Sequence, residues 1–97
     1  MMHVMASIVV RPEHASAARA LLADLAAQSR HEPGCVAYEL FQRADQPHVF
    51  RTVEQWLGAA DIDAHMKTAH VAAAIATAGP MFAAAPEIVT FTRVDGA

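Results

Sequence analysis

The chain predicts an α+β, ferredoxin-like domain, an antiparallel sheet of β-α-β-β-α-β order with its helices on one face. Three observations lead there. Four short runs rich in β-branched and aromatic residues alternate with two stretches of helical periodicity. Turn or breaker residues separate them at Arg11-Pro12, Pro33-Gly34, Asp45 to Pro47 and Gly79-Pro80. The second and third apolar runs are joined by a short polar link that suits a hairpin.

The elements follow in order. Val4 to Val10 is apolar and β-branched and stops at Arg11-Pro12, which makes it the first strand. Pro12 then sits where a helix begins, because the N–H it lacks would be unpaired there. From Glu13 to Arg30, Ala17, Ala18, Leu21, Leu22, Leu25 and Ala26 recur every three or four residues, the stripe of an amphipathic helix. Glu13 in its first turn and Arg30-His31 at its end agree with the helix dipole. Pro33-Gly34 ends this helix and turns the chain. Cys35 to Gln42 is the second strand, Arg43 to Pro47 the hairpin loop, and His48 to Trp56 the third strand. Gly58 to Lys67 is the second helix, with Thr68 to Ala78 its continuation or a separate short turn. Gly79-Pro80 breaks it, and Glu87 to Val94 is the last strand.

The strands also predict how the sheet is covered. In the second, Val36, Tyr38 and Leu40 alternate with Cys35, Ala37 and Phe41; in the last, Ile88 and Val94 alternate with Val89 and Phe91. Both faces are therefore apolar, whereas two helices cover only one. An antiparallel sheet with a solvated face shows a polar side. The expected cover is the sheet of a second copy, a homodimer.

Composition bounds the function. The 97 residues make one domain, 1–97, with a hydrophobic fraction of 55%, much of it alanine. A net charge of −3 and seven scattered basic residues give no footprint for nucleic acid and no polybasic membrane anchor. Met1-Met2-His3-Val4 lacks the basic start of a secretory signal, and the uncharged stretch Thr68 to Pro86 is too alanine-rich and broken for a membrane span. The single cysteine forbids an internal disulfide and fits a reducing compartment, so the expected location is the cytoplasm.

Candidate chemistry gathers around the third strand. Glu54 and Trp56, two apart, share a face with Phe50 and Thr52, and His65 lies on the following helix within reach of that face. An acid, an imidazole and an indole around an apolar cavity suit a small molecule. The same residues also have a purely structural reading: Trp56 capping the core, Glu54 paired with an Arg or Lys, His65 on the helix surface. Tyr38 is either a core residue or part of the cavity wall. Cys35 has neither base nor depressed pKa in view and reads as small and buried. His65 and His70 are five apart, about 140° on a continuous helix, so they cannot form a two-histidine clamp there. No metal site is expected.

Taken together, Glu32-Pro33-Gly34-Cys35 turning into Val36 to Phe41, the Glu54-Gln55-Trp56 end of the third strand, and Ala64-His65-Met66-Lys67-Thr68-Ala69-His70 form an ordered set. It resembles the antibiotic biosynthesis monooxygenase family, small proteins of the dimeric α/β-barrel type. The resemblance implies a homodimeric barrel and a pocket lined from these segments, with His65 and Glu54 as catalytic candidates and Trp56, Phe50, Thr52 and Tyr38 against the substrate. The polyketide-oxidising members use an asparagine, a tryptophan and a tyrosine, of which only Trp56 carries over. This chain has no asparagine, which also argues against a haem-degrading activity, and Tyr38 is not in the helix after Trp56.

No Gly-rich dinucleotide fingerprint, phosphate loop or metal-ligand spacing occurs, so no cofactor is predicted. The expected reaction is a cofactor-independent monooxygenation of a small aromatic quinol or phenol by O2. The alternatives are a cofactor-free isomerase of a small carbonyl metabolite and a non-catalytic binder of hydrophobic metabolites.

Overall fold

The computed structural model describes residues 1–96. The strands are β1 (Met2–Val9), β2 (Cys35–Gln42), β3 (Val49–Trp56) and β4 (Glu87–Phe91), and the helices α1 (Ala15–Ser29), α2 (Ala59–Met66) and α3 (Ala69–Ala78), with 3-10 turns at Pro12–His14 and Gly79–Met81. The sheet runs β2-β3-β1-β4 with every neighbouring pair antiparallel. This is the predicted ferredoxin-like α+β fold. The sheet is open, and one chain does not close it into a barrel.

Register decides which side chains meet the helices. Thr90, Val4, Glu54 and Tyr38 form one cross-strand row, and Ile88, Ala6, Thr52 and Leu40 form the next. Helix α1 turns Ala18, Leu22, Ala26 and Ser29 inward at spacings of four, four and three, the single stripe its sequence prescribes. Two packed groups result: Ile8, Val10, Ala18, Leu22 and Phe50 at one end, Val4, Ala26, Tyr38 and Trp56 at the other.

Two expectations are corrected, and one left open is decided. A bulge between Cys35 and Ala37 resets the alternation of β2, so Cys35 joins Tyr38 and Trp56 on the helix side while Val36 stands exposed. Strand β4 stops at Phe91, because its partner β1 runs out: Phe91 pairs with His3, one residue from the end of β1. Val94 is thus not a strand residue and is 99% exposed. Finally, α2 and α3 are separate helices. Lys67 and Thr68 donate their backbone N–H groups to Ala64 and His65, three residues back, which tightens and ends α2. Thr68 then takes an extended backbone, and its Oγ1 accepts the Val71 N–H at 3.3 Å as the N-cap of α3.

The other face of the sheet carries Phe41, Val53, Met5, Val89 and Phe91 among Arg51, Ser7 and Glu87. Phe41 and Phe91 are exposed there. No described helix is long and apolar enough to cross a membrane.

Candidate functional site

Between the sheet and the helices lies a cavity of about 320 Å³, within the range of small-molecule sites. Its walls are apolar side chains of β1, α1, α3 and β4, and its polar groups are Tyr38, Thr52, Glu54, His65 and Thr90. Met66, Ile75 and Ile88 line it and are exposed, which puts its mouth between the helix pair and the edge strand β4.

Glu54 is a buried carboxylate, 5% exposed, with both oxygens engaged. Its Oε1 accepts the Trp56 indole N–H at 2.9 Å and its Oε2 accepts the Thr52 hydroxyl at 2.7 Å. All three alternate along β3, so the pleat itself aligns them. Hydrogen bonds of this kind are what make a buried carboxylate tolerable. The partners are therefore Thr52 and Trp56, not the Arg or Lys that the structural reading of the sequence offers.

His65 is 5% exposed and forms part of the cavity wall, not the helix surface. Its ring lies against Trp56 with centroids 4.7 Å apart and beside Tyr38 at 5.8 Å. Its Nδ1 donates to Glu32 Oε2 at 2.7 Å. A carboxylate accepts here, so Nδ1 carries a proton, and in the neutral ring Nε2 then keeps its lone pair. With Nδ1 engaged, Nε2 is the ring atom left to meet a ligand.

Glu32 is held where this contact needs it. Its backbone N–H donates to Ser29 O, and its carbonyl accepts the Cys35 N–H at 3.0 Å, closing a turn with Pro33 and Gly34 at its centre. Gly34 supplies room: a Cβ there would run into the carboxylate of Asp61 in the first turn of α2. This turn and α2 are thereby packed together, and Glu32 reaches His65 from beneath.

The same Glu32 Oε2 also accepts from His70 Nε2 at 2.8 Å. The rotation that separates His65 from His70 assumed one continuous helix. The break at Lys67-Thr68 removes it, and both rings converge on one carboxylate. The ligand-type atoms of Glu32, His65 and His70 all lie within 4.8 Å of one another. Glu32 and His70 are the site residues that sequence reasoning passed over. The signal was present in Thr68, a good N-cap residue between two helical runs.

The remaining candidates divide. Tyr38 and Thr52 line the cavity. Trp56 is fully buried behind His65, and Phe50 packs in the distal core beside Val10 and Leu22, so neither is on the cavity wall. Burial pushes the Tyr38 phenol well above its usual range, with the nearby charges of Glu54, Cys35 and Glu32 adding to the effect against Arg30. Tyr38 is accordingly a neutral phenol. Burial, then Glu32 and Glu54, also raise the Cys35 thiol, against a thiolate nucleophile.

Comparison with known proteins agrees with this architecture. No curated protein matches the chain in sequence. Among solved structures, one described as an antibiotic biosynthesis monooxygenase superposes with a TM-score of 0.93 at 27% identity, over 98% of this chain and 100% of that one. A Pseudomonas aeruginosa protein gives 0.90 at 30% identity, over 97% of this chain and 94% of its own. A Mycobacterium tuberculosis protein gives 0.90 at 27%, over 99% and 97%. The family model for antibiotic biosynthesis monooxygenases matches residues 1–77, which takes in Glu32, Glu54, Trp56, His65 and His70. On that match, and on a sheet and helix arrangement shared almost end to end with these structures, the chain belongs to the antibiotic biosynthesis monooxygenase family.

Proposed function

We propose that the protein is a cofactor-independent monooxygenase of a small, electron-rich quinol or phenol. The observation that carries this reading is His65 on the wall of an apolar cavity with its Nδ1 held on Glu32 at 2.7 Å, which leaves Nε2 as the ring nitrogen for a substrate proton. Membership of a monooxygenase family supports the reaction class.

The substrate's hydroxyl gives its proton to His65 Nε2, and the imidazolium that forms is stabilised by the Glu32 carboxylate. The resulting anion passes one electron to O2, and the radical pair recombines into a ring-bound peroxide. The imidazolium returns its proton to the peroxide, and loss of water with the hydrogen of the oxygenated ring carbon leaves the quinone, so one oxygen atom enters the ring and the other departs as water. Glu54, with both oxygens already accepting, is the less suitable base; its role is to hold Thr52 and Trp56, the latter backing His65. The neutral Tyr38 hydroxyl can donate to the substrate oxygen. The apolar walls exclude water from the radical pair.

Dimerisation through the outer sheet face belongs to the same reading, supported by Phe41, Val89 and Phe91, which are solvent-accessible in the single chain. So does the cytoplasmic location, supported by the single cysteine. A second reading, an isomerase using His65 on a carbonyl substrate, draws on the same wall. Turnover of a naphthol- or hydroquinone-type substrate under labelled O2, without flavin, nicotinamide or metal, separates the two. One labelled oxygen in the product supports the oxygenase. Equal turnover in the strict absence of O2 overturns it in favour of the isomerase.

A further inference from the structure

We propose that Glu32, His65 and His70 form a binding site for one borderline divalent transition ion of the Zn²⁺ class, and that filling it switches the cavity off. Two imidazoles and a carboxylate are the donor set such ions prefer. They come from three separate elements, the turn before β2, the last turn of α2 and the first turn of α3, and they meet at one point. All three side chains are mostly buried, with relative exposures of 12% for Glu32, 7% for His65 and 19% for His70. They therefore present donors already largely stripped of water, with His70 the most accessible to an arriving ion.

The spacing fits with small adjustment. Glu32 Oε2 stands 2.7 Å from His65 Nδ1 and 2.8 Å from His70 Nε2. Donors around a tetrahedral zinc ion stand about 3.3 Å apart, so Glu32 Oε2 draws back from each ring by roughly 0.5 Å, while the two ring nitrogens already lie within 4.8 Å of each other. The fourth position is left for water or a small anion.

No net proton needs to leave. In the metal-free state both imidazoles donate N–H groups to Glu32. With the ion in place each moves its proton to its other nitrogen and coordinates through the lone pair that this frees. For His65 this puts the proton on Nε2, the atom that meets the ligand, so a metal-loaded site has no base to offer. The inhibition, unlike the binding, rests on the reading of His65 as base.

The test titrates Zn²⁺ alone into the chelator-stripped full-length protein by calorimetry, beside Glu32→Gln, His70→Gln and the remote control His48→Gln. One ion per chain is expected, weakened at least roughly tenfold in the first two variants, since even outer-shell partners are worth 10–100-fold, and unchanged in the third. Absence of binding, or binding indifferent to Glu32→Gln and His70→Gln, overturns the site. Should those variants fail to fold, imidazole ¹⁵N resonances of the wild type decide instead: zinc must shift His65 and His70 and leave the other four histidines in place. Quinol-dependent O2 uptake falling at one equivalent of zinc and returning with chelator supports the switch; uptake indifferent to bound zinc overturns the switch alone. Stripped protein that gains activity only with metal overturns both the cofactor-free reading and the switch and leaves the site standing.

Discussion

His65 Nδ1 and Glu32 Oε2 lie 2.7 Å apart across thirty-three residues of sequence. The contact joins the Pro-Gly turn after α1 to the end of α2, and it determines which nitrogen of His65 is available at the cavity wall. Glu32→Gln keeps the size and removes the charge. The amide offers one weaker acceptor in place of an oxygen that serves two rings. Loss of hydrogen bonds to a mostly buried charged group should lower stability by about 1–3 kcal/mol. Imidazole ¹⁵N spectra should show His65 as a mixture of tautomers where the wild type shows one. A single Nδ1–H tautomer in the variant would mean that Glu32 does not set it.

Trp56 behaves differently from a stacking wall open to substrate. It is 0% exposed, backs His65, and donates to Glu54. Trp56→Ala should therefore cost about 3–5 kcal/mol in folding, the range for deleting a large aromatic from a core. Trp56→Phe keeps most of the volume but strips a donor from a buried carboxylate, at about 1–3 kcal/mol. Denaturant melts of both variants check this. A Trp56→Ala protein as stable as wild type with only weakened ligand binding would put Trp56 against the substrate, as the family resemblance implies.

Tyr38 is the only tyrosine, which makes it a clean spectroscopic reporter. Its pKa is raised in the folded protein, mainly by burial. The sign follows: the associated stability is complete below the ordinary tyrosine value of about 10 and is lost as pH rises from there toward the folded value. Tyrosinate absorbance should stay flat through pH about 10 while the protein remains folded, and appear together with alkaline unfolding. A reversible tyrosinate step near that pH, with the circular dichroism unchanged, would show the phenol to be solvated.

The outer sheet face makes the oligomer testable. Phe91 and Phe41 are exposed in the single chain on the side away from the helices. Sedimentation of the wild type at micromolar concentration should give a dimer, and Phe91→Asp a monomer or a mixture shifted strongly toward it. A monomeric wild type would remove this part of the reading.

Most of the fold is legible in the sequence because its signals are local. Alternation in Val4 to Val10, the Ala18-Leu22-Ala26 stripe and the Pro-Gly breaks each act within a few residues. The end of β4 is not legible, since it is set by where β1 stops and not by the β-branched character of Thr92 or Val94. The face of Cys35 is hidden in the same way by a bulge, which is one residue of slippage between two strands. At the site, Glu54, Thr52 and Trp56 follow from the pleat of one strand. The convergence of Glu32, His65 and His70 does not, because it depends on a hydroxyl of Thr68 capping a new helix and on a turn docking under α2. A hydrophobic pattern continuous across Thr68 conceals both.

The most direct test of His65 as the base at the cavity wall is O2 uptake driven by an electron-rich quinol, compared between wild type and His65→Ala with no added flavin, nicotinamide or metal. Removal of a general base lowers rate by roughly 10²–10⁴. The account predicts a loss of that size in kcat from a variant that still folds, while Glu54→Gln shows its larger effect on stability. Unchanged turnover in His65→Ala would contradict it and shift the base to Glu54.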